Sequence, residues 1–518
     1  MNPPERDRRT DRDRAERRDL TGRQRGAART ESRGQFSSQA PSERRRSADP
    51  ARTAALEVLR AVDEEDAYAN LVLPPLLSRR GVRGRDAGFA TELAYGALRL
   101  AGRYDAVVEI AARRPVTALD APVRDVLRLG AHQLLGMRVP AHAAVSETVG
   151  LARDRVGAGA AQLVNAVLRR VAEAPLEEWL VRIGDAADPT GEDRVARLAV
   201  TESHPAWVVR ALREALVGHG RPVDELEALL AADNTPARVS LVARPGLVDR
   251  EELLAAVPAG TRGTRGTVAP TAVVLDGGDP ADVPPVRDGR AGVQDEGSQL
   301  VALALLAAPL EGRDERWLDL CAGPGGKSAL LAGAALDRGA RLLATEVQPH
   351  RTRLVDRSLR AVPRRAVEAV RTQDGRELGE SEPGAFDRVL VDAPCTGLGA
   401  LRRRPEARWR RSPADLAALG TLQRELLTSA LAAVRPGGVV AYVTCSPHLA
   451  ETSLVVKDVV RARAKAGATV TRLDTRAVVA EVSPDLDAGA PGPGSDVQLW
   501  PHRHGTDAMY LALLRRED

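Results

Sequence analysis

Cysteine is scarce: the 518-residue chain holds three, Cys321, Cys395 and Cys445, all in its last two-fifths. Three thiols cannot build a disulfide framework, which excludes the small stapled scaffolds of secreted proteins and points to a reducing, cytoplasmic setting. Aromatic residues make up only 3%, and lysine occurs only at Lys327, Lys457 and Lys465, so nearly all basic charge is arginine. No apolar run approaches the roughly 18 residues of a membrane span. The opening MNPPERDRRTDRDRAERR has no apolar h-region, so no export signal is expected. A fixed-period repeat is also missing, which excludes a solenoid. What is present, 43% hydrophobic and 28% charged residues in 55.2 kDa, fits a soluble globular chain of two or three domains.

The net charge of +4 is uneven. Residues 1–50 hold 14 arginines against nine acidic residues, leaving 61 basic and 62 acidic residues for the remainder. This opening segment, 1–48, has no apolar periodicity and reads as a disordered Arg-rich tail. It is either an RNA-touching arm or a solvated extension of an Arg-biased chain.

From about Asp49 the text becomes rich in Ala, Leu and Val at helical spacing, as in Leu56, Val58, Leu59 and Val62. The same spacing recurs near 85–101, 122–136, 143–155 and 160–173. Residues 49–185 therefore read as an all-α block. Residues 186–290 read as a small α+β connector, with helices at 205–218 and 223–232 and strands at Arg238–Ala243 and Ala272–Leu275. From 291 to 518 the pattern alternates strand and helix. Strands are expected at Trp317–Leu320, Arg341–Glu346, Arg365–Arg371, Phe386–Asp392 and Val439–Thr444, with helices from Lys327, near His350 and over 415–434. That is the signature of a doubly wound, Rossmann-like α/β sheet. The stretch 482–496 reads as a flexible loop.

The chemistry concentrates in this last part. Cys321-Ala322-Gly323-Pro324-Gly325-Gly326-Lys327 follows a strand and opens a helix, where glycines permit a sharp turn and the helix N-terminus presents free N–H groups to a ligand. Glu346 closes the second strand 27 residues after Asp319 and suits a ribose diol; Asp374 lies just beyond the third strand, and Asp392 ends the fourth. Acidic residues at successive strand ends resemble the donor site of a class I S-adenosylmethionine methyltransferase. The G-x-G-x-x-G turn of a nicotinamide enzyme is absent, and the glycine that a P-loop needs six residues before Lys327 is missing.

Two further clusters, Asp392-Ala393-Pro394-Cys395-Thr396-Gly397 and Tyr442-Val443-Thr444-Cys445-Ser446-Pro447, each place a cysteine just past a strand end. Paired thiols beside a methyl donor suit pyrimidine chemistry: a thiolate adding to ring C6 makes C5 nucleophilic, and a second group then helps to resolve the adduct. A carboxylic acid at Asp392 would hydrogen-bond ring N3 as charge develops there. Cys321, inside the turn, is explained by packing. A metal site is not expected: the thiols lack C-x-x-C spacing, and His350 and His448 complete no quartet. His448 reads as a loop residue, and His132, His142 and His204 as helix caps or satisfied core residues. Between the clusters, Leu401-Arg402-Arg403-Arg404-Pro405-Glu406-Ala407-Arg408-Trp409-Arg410-Arg411 reads as a loop with phosphate contacts and a stacking platform; the alternative is a solvated charged helix face.

At these residues the sequence resembles the RsmB/Sun family of RNA cytosine-C5 methyltransferases. The resemblance extends upstream through Arg85–Gly96, Val139–Val145 and Val164–Arg169, which look like the family's NusB-like helical RNA-binding domain, and through Ser203–Trp207 and Val293–Ser298; it covers about 460 residues in all. It implies that Cys321, Ala322, Gly323, Pro324, Gly325, Gly326 and Lys327 form the donor loop, with further contacts at Glu346, Asp374 and Asp392. It further implies that Cys445 is the nucleophile and that Cys395 helps to release product. The chain departs from the family pattern at Leu241-Val242-Ala243, where relatives commonly carry Arg-Val-Asn, and at Leu449-Ala450-Glu451-Thr452, where the usual text is Pro-Glu-Glu-Asn. The expected activity is S-adenosylmethionine-dependent methylation of cytosine C5 in 16S ribosomal RNA through a Cys–C6 adduct, by a cytoplasmic monomer with no metal and no membrane. A transfer RNA substrate, or a non-catalytic RNA-binding assembly or antitermination factor, is the alternative.

Overall fold

The computed structural model describes residues 49–489, 492 and 494–518. The tail 1–48, and residues 490, 491 and 493 of the expected loop 482–496, lie outside the described residues. The described part of that loop is not all free of the core, because Leu486 and Ala488 pack against it.

From Pro50 to Ala187 the chain is helical, as expected. The first helix, Pro50–Glu64, starts where Asp49 accepts the Arg52 N–H and Pro50 presets the first turn. In the helix Ala158–Val171, the residues Val164, Val167, Leu168 and Val171 fall at i, i+3, i+4 and i+7 and are fully enclosed. They meet Val58, Leu59, Leu93, Val126 and Leu127 in one core. Of the histidines read as structural, His132 and His204 are buried in this way: His132 Nδ1 lies 2.7 Å from the Tyr104 hydroxyl, and His204 Nδ1 lies 2.6 Å from Glu202 O.

Close packing at His132 gives a test. A Cβ at Gly96 would stand 2.0 Å from His132 Nε2, and the ring is held by Tyr104 with no space to swing. Gly96→Ala is expected to cost about 1–3 kcal/mol, read as a lowered unfolding temperature. An unchanged transition would show that this helix pair is loosely packed.

The expected connector has two separate cores. Its strands form an antiparallel sheet of order β2-β3-β1-β4: β1 (Val239–Ala243), β2 (Gly263–Arg265), β3 (Ala272–Leu275) and β4 (Ala291–Val293). The two strands read from sequence pair with each other from Val239↔Leu275 to Val242↔Ala272. The three-residue outer strands escaped notice because they carry too few residues for a period. The helices Arg194–Thr201, Ala206–Gly218 and Leu226–Asp233 instead share a core with Leu398, Leu401, Ala407 and Trp500.

The remaining strands form one sheet: β5 (Arg316–Asp319), β6 (Arg341–Glu346), β7 (Val367–Thr372), β8 (Phe386–Asp392), β9 (Val434–Thr444), β10 (Val470–Arg472), β11 (Val497–Gln498) and β12 (Tyr510–Arg516). The order is β10-β12-β9-β8-β5-β6-β7, with β11 also on β12. Neighbours from β9 to β7 are parallel, and β12 runs antiparallel to β9 and carries both short strands antiparallel to itself. The sheet is therefore mixed, with an antiparallel edge that the doubly wound reading did not include. The chain order reverses at β5, which makes the carboxyl ends of β5 and β8 the switch point where open sheets bind ligands. Among the described residues no helix is long and apolar enough to cross a membrane, and no cluster of three His, Cys, Asp or Glu side chains could hold a metal ion.

Candidate active site

Strand register brings the two cysteine motifs together. β8 and β9 are adjacent and parallel, with Asp392 opposite Val443. Ala393 N–H continues the ladder to Val443 O at 2.9 Å, and Gly399 N–H reaches Cys445 O at 2.9 Å, so the two loops stay zipped beyond the strands. Cys395 Sγ lies 3.4 Å from Cys445 Sγ.

The environment divides this pair. The Cys395 thiol as hydrogen-bond donor is the largest influence holding Cys445 below its ordinary value; burial and the Asp392 charge oppose it, and Arg404 and Lys327 assist. Cys395 is pushed well up, first by that same bond and then by burial, the Cys445 charge and Glu451. Of the pair, Cys445 is the thiol held lower and Cys395 the one pushed up, which gives Cys445 the greater thiolate share.

Lys327, in the first turn of the helix Gly326–Arg338, donates to Asp392 Oδ2 at 2.8 Å. Burial works against its ammonium, but Asp392, Cys445 and Asp319 outweigh that and hold the amine above its ordinary value. Asp392, the residue expected to meet ring N3, thus stands in direct contact with the Lys327 side chain.

The glycine turn follows β5 as expected. Ala322 N–H is fixed to Thr345 O at 2.9 Å, and Gly325 sits at φ +107°, which L side chains rarely adopt. Pro324 O accepts from Ser358 Oγ at 3.1 Å. A Cβ on Gly326 would stand in ordinary van der Waals contact with the Gln294 amide at 3.6 Å. Glu346 accepts from Gly323 N–H at 3.1 Å and Gln348 N–H at 3.0 Å and is only 4% exposed. Asp319 Oδ2 accepts from Ser328 Oγ at 2.6 Å, Oδ1 has no protein partner, and burial pushes its carboxyl up to about 7. Burial also pushes the Cys321 thiol well up, and that side chain packs against the apolar core rather than joining the other two thiols. Asp374 stands apart from this group: it caps Arg376 N–H at 3.0 Å and pairs with the Arg376 guanidinium at 2.7 Å, which holds its carboxyl low.

The arginine segment contradicts its reading as a phosphate-binding loop. Arg408 is fully enclosed and donates to Arg99 O, Ser203 O, Asn234 Oδ1 and Asp233 O at 2.9–3.3 Å. Arg410 donates to Val62 O and Ala67 O, and Arg402 and Arg403 pair with Asp507. The physical reason is that helices leave their last carbonyls without partners, and a guanidinium supplies several donors at once. Only Arg404, which is exposed over the Tyr68 ring at 5.6 Å, and the 44% exposed Trp409 keep the outward role expected of the whole segment.

Residues 305–515 match the family model described as 16S rRNA methyltransferase RsmB/F, and residues 49–173 match the NusB family. A Mycobacterium tuberculosis protein whose name mentions a methyltransferase but no substrate is 54% identical over 473 residues, 91% of this chain and 98% of that protein. The chain belongs to the RsmB/F methyltransferase family. The ribosomal RNA small subunit methyltransferase B of Pseudomonas putida is 34% identical over 409 residues, 78% of this chain and 88% of that one. The crystal structure of PH0851 has the same fold, with a TM-score of 0.71 at 23% identity over 90% of this chain and 98% of that chain.

Within this family member, sequence reasoning passed over the polar support beneath the thiols. Glu451 accepts from Thr396 N–H at 2.8 Å and Thr396 Oγ1 at 2.5 Å, and Thr396 Oγ1 lies 3.2 Å from Ser446 Oγ. The available signal was a hydroxyl residue directly after each cysteine, with an acidic residue six positions beyond Cys445.

Proposed function

We propose that this enzyme transfers a methyl group from S-adenosylmethionine to C5 of a cytosine in 16S ribosomal RNA, with Cys445 as nucleophile and Cys395 assisting release. The observation that carries the reading is the 3.4 Å approach of two inequivalent thiols at neighbouring strand ends. The family description and the name of the Pseudomonas putida relative point to the small ribosomal subunit as the source of the cytosine.

The donor fits the residues present: an orphaned buried oxygen on Asp319 and a Glu346 carboxylate held by backbone N–H groups at the switch point. In this reading Cys321, Ala322, Gly323, Pro324, Gly325, Gly326 and Lys327 would form the donor loop, Glu346 would receive the ribose diol, and Asp392 and, once turned from Arg376, Asp374 would supply further contacts. When bound, it supplies an electrophilic methyl carbon.

The Cys445 thiolate would add to C6 of the cytosine and move an electron pair to C5, making C5 able to take the methyl group that the donor would supply, with S-adenosylhomocysteine as the leaving group. The C5 proton departs to a base, the C6–S bond breaks, and the ring regains aromaticity. In this reading Asp392, held by Lys327, would serve ring N3 as negative charge builds, and Cys395 stands beside the sulfur that must leave. The helical domain, expected over 49–185, serves as the RNA-binding part; the connector, expected over 186–290, also takes in β4 at Ala291–Val293, and the residues after it carry the chemistry expected of 291–518.

Bisulfite sequencing of total RNA from a deletion strain tests the reading: one methylated cytosine of 16S RNA is expected to vanish and to return with the wild-type gene but not with Cys445→Ala. Loss of a mark in transfer RNA with 16S RNA unchanged would overturn the substrate. Donor binding gives a separate test. Glu346→Ala removes a charged acceptor and is expected to weaken S-adenosylmethionine binding by about 10–100-fold in calorimetry.

A further inference from the structure

Glu451 is fully enclosed, and every contact of its carboxylate leads to the cysteine loops. Oε1 accepts from the N–H of Thr396, the residue joined to Cys395, at 2.8 Å, and from Gln423 Nε2 at 3.3 Å; Gln423 also donates to Pro394 O at 2.8 Å. Oε2 accepts from Thr396 Oγ1 at 2.5 Å. The Glu451 backbone carbonyl accepts from the Tyr442 hydroxyl at 2.9 Å, which ties the residue to β9 three positions before Cys445. One carboxylate thus clamps the residues on both sides of Cys395 to the strand that carries Cys445.

Charge follows the same division. Cys445 is faced by the Lys327 and Arg404 cations and by Asp392, whereas the charged groups facing Cys395 are Glu451 and Cys445 itself. Glu451 raises Cys395, whereas the Arg404 and Lys327 cations act against Asp392 at Cys445, so the charges favour ionisation of Cys445 over Cys395.

We propose that Glu451 is a positioning residue that decides which cysteine attacks: it locks the Cys395 loop against β9 and keeps the shared proton on Cys395, leaving Cys445 as the thiolate. Neither role requires Glu451 to touch the substrate. The inference rests on the two-thiol reading above and adds to it the group that makes the thiols unequal.

Its test uses the full-length protein without RNA or donor. Iodoacetamide is applied briefly between about pH 6 and about pH 9, and modification at Cys395 and Cys445 is counted by peptide mass spectrometry. Wild type is expected to react first at Cys445. Glu451→Gln keeps the shape and one acceptor oxygen, reverses the hydrogen bond with Thr396 Oγ1 and removes the charge, and is expected to move the Cys395-to-Cys445 ratio about tenfold towards Cys395, equivalent to one pKa unit. Thr396→Val cuts the hydroxyl arm while keeping Glu451 charged; it is expected to shift the ratio in the same direction by less, and it carries the test if Glu451→Gln does not fold. Folded variants with the wild-type ratio overturn the proposal. The covalent RNA adduct separates the two readings. Wild-type adduct with an unmoved ratio sinks Glu451 alone, whereas a moved ratio without any RNA adduct sinks the cytosine chemistry and leaves the role of Glu451 in ordering the thiols.

Discussion

Cys445→Ala is expected to lower turnover by on the order of 10⁴-fold and to form no covalent RNA species, whereas Cys395→Ala is expected to accumulate a protein–RNA adduct that survives denaturing electrophoresis. The asymmetry follows from the two sulfur environments. Cys445 is the thiol that the Lys327 and Arg404 charges help to hold low, and without its sulfur the thiol that remains, Cys395, is the one pushed up. Cys395 has a double influence. Its hydrogen bond is the largest influence lowering Cys445, so its loss raises Cys445 towards an ordinary thiol and moves adduct formation to higher pH. Release also fails, so the adduct builds up more slowly yet persists. Both features are measured in one experiment: a gel time course with unmodified RNA and donor at a series of pH values. Equal adduct from the two variants would overturn the assignment of roles, and a Cys395→Ala adduct whose rate keeps the wild-type pH profile would remove Cys395 from the activation of Cys445.

The comparison with sequence is instructive where single residues decide it. Strands β6 and β8 stand where their Val, Leu and Ala runs placed them, because continuous apolar text bounded by acidic strand ends has few other solutions in a parallel sheet. The convergence of Cys395 and Cys445 was legible for the same reason, since both sit just past parallel strands of a sheet with a known edge for ligands. The antiparallel strand β12 was not legible: its pairing with β9 is a contact across 66 residues, from Tyr510 to Thr444, and no local period encodes it. Arg408 failed for a different reason. An arginine that caps distant helix carbonyls is spelled the same way as one that binds phosphate, and only the fold reveals that Arg99 O, Ser203 O and Asp233 O converge on it. Glu451 was hidden likewise, since its value lies in Thr396, 55 residues away.

Arg408→Met is expected to destabilise the junction between the helical domain and the catalytic loops by about 3–5 kcal/mol, because it removes the donors of four buried acceptors and leaves a buried acid without its cation. The acid is Asp233, whose carboxylate oxygens have no hydrogen-bond partner and whose neighbours are Arg408, Arg402, His502 and, at 3.8 Å, His204. Burial pushes Asp233 up to about 7 against its ordinary 3.8, with Arg408 the main opposing influence. A carboxyl raised on folding binds its proton more tightly in the native state, so its contribution is complete below the unfolded value and is lost as pH rises from about 4 through about 7. The amount is about 4 kcal/mol at ~1.4 kcal/mol per unit. Burial holds the His204 imidazole well below its ordinary value, so its contribution has the opposite slope and is lost as pH falls below about 6.5. Asp233→Asn therefore isolates the acid: relative to wild type it is expected to be more stable at pH 8, with the difference shrinking as pH falls towards 4. In the Arg408→Met background, where the opposing cation is gone, the gain from Asp233→Asn is expected to be larger still. Thermal unfolding of the four proteins across this pH range measures the coupling. Additive effects at pH 8 would mean that Arg408 acts only through the carbonyls it caps and not through Asp233.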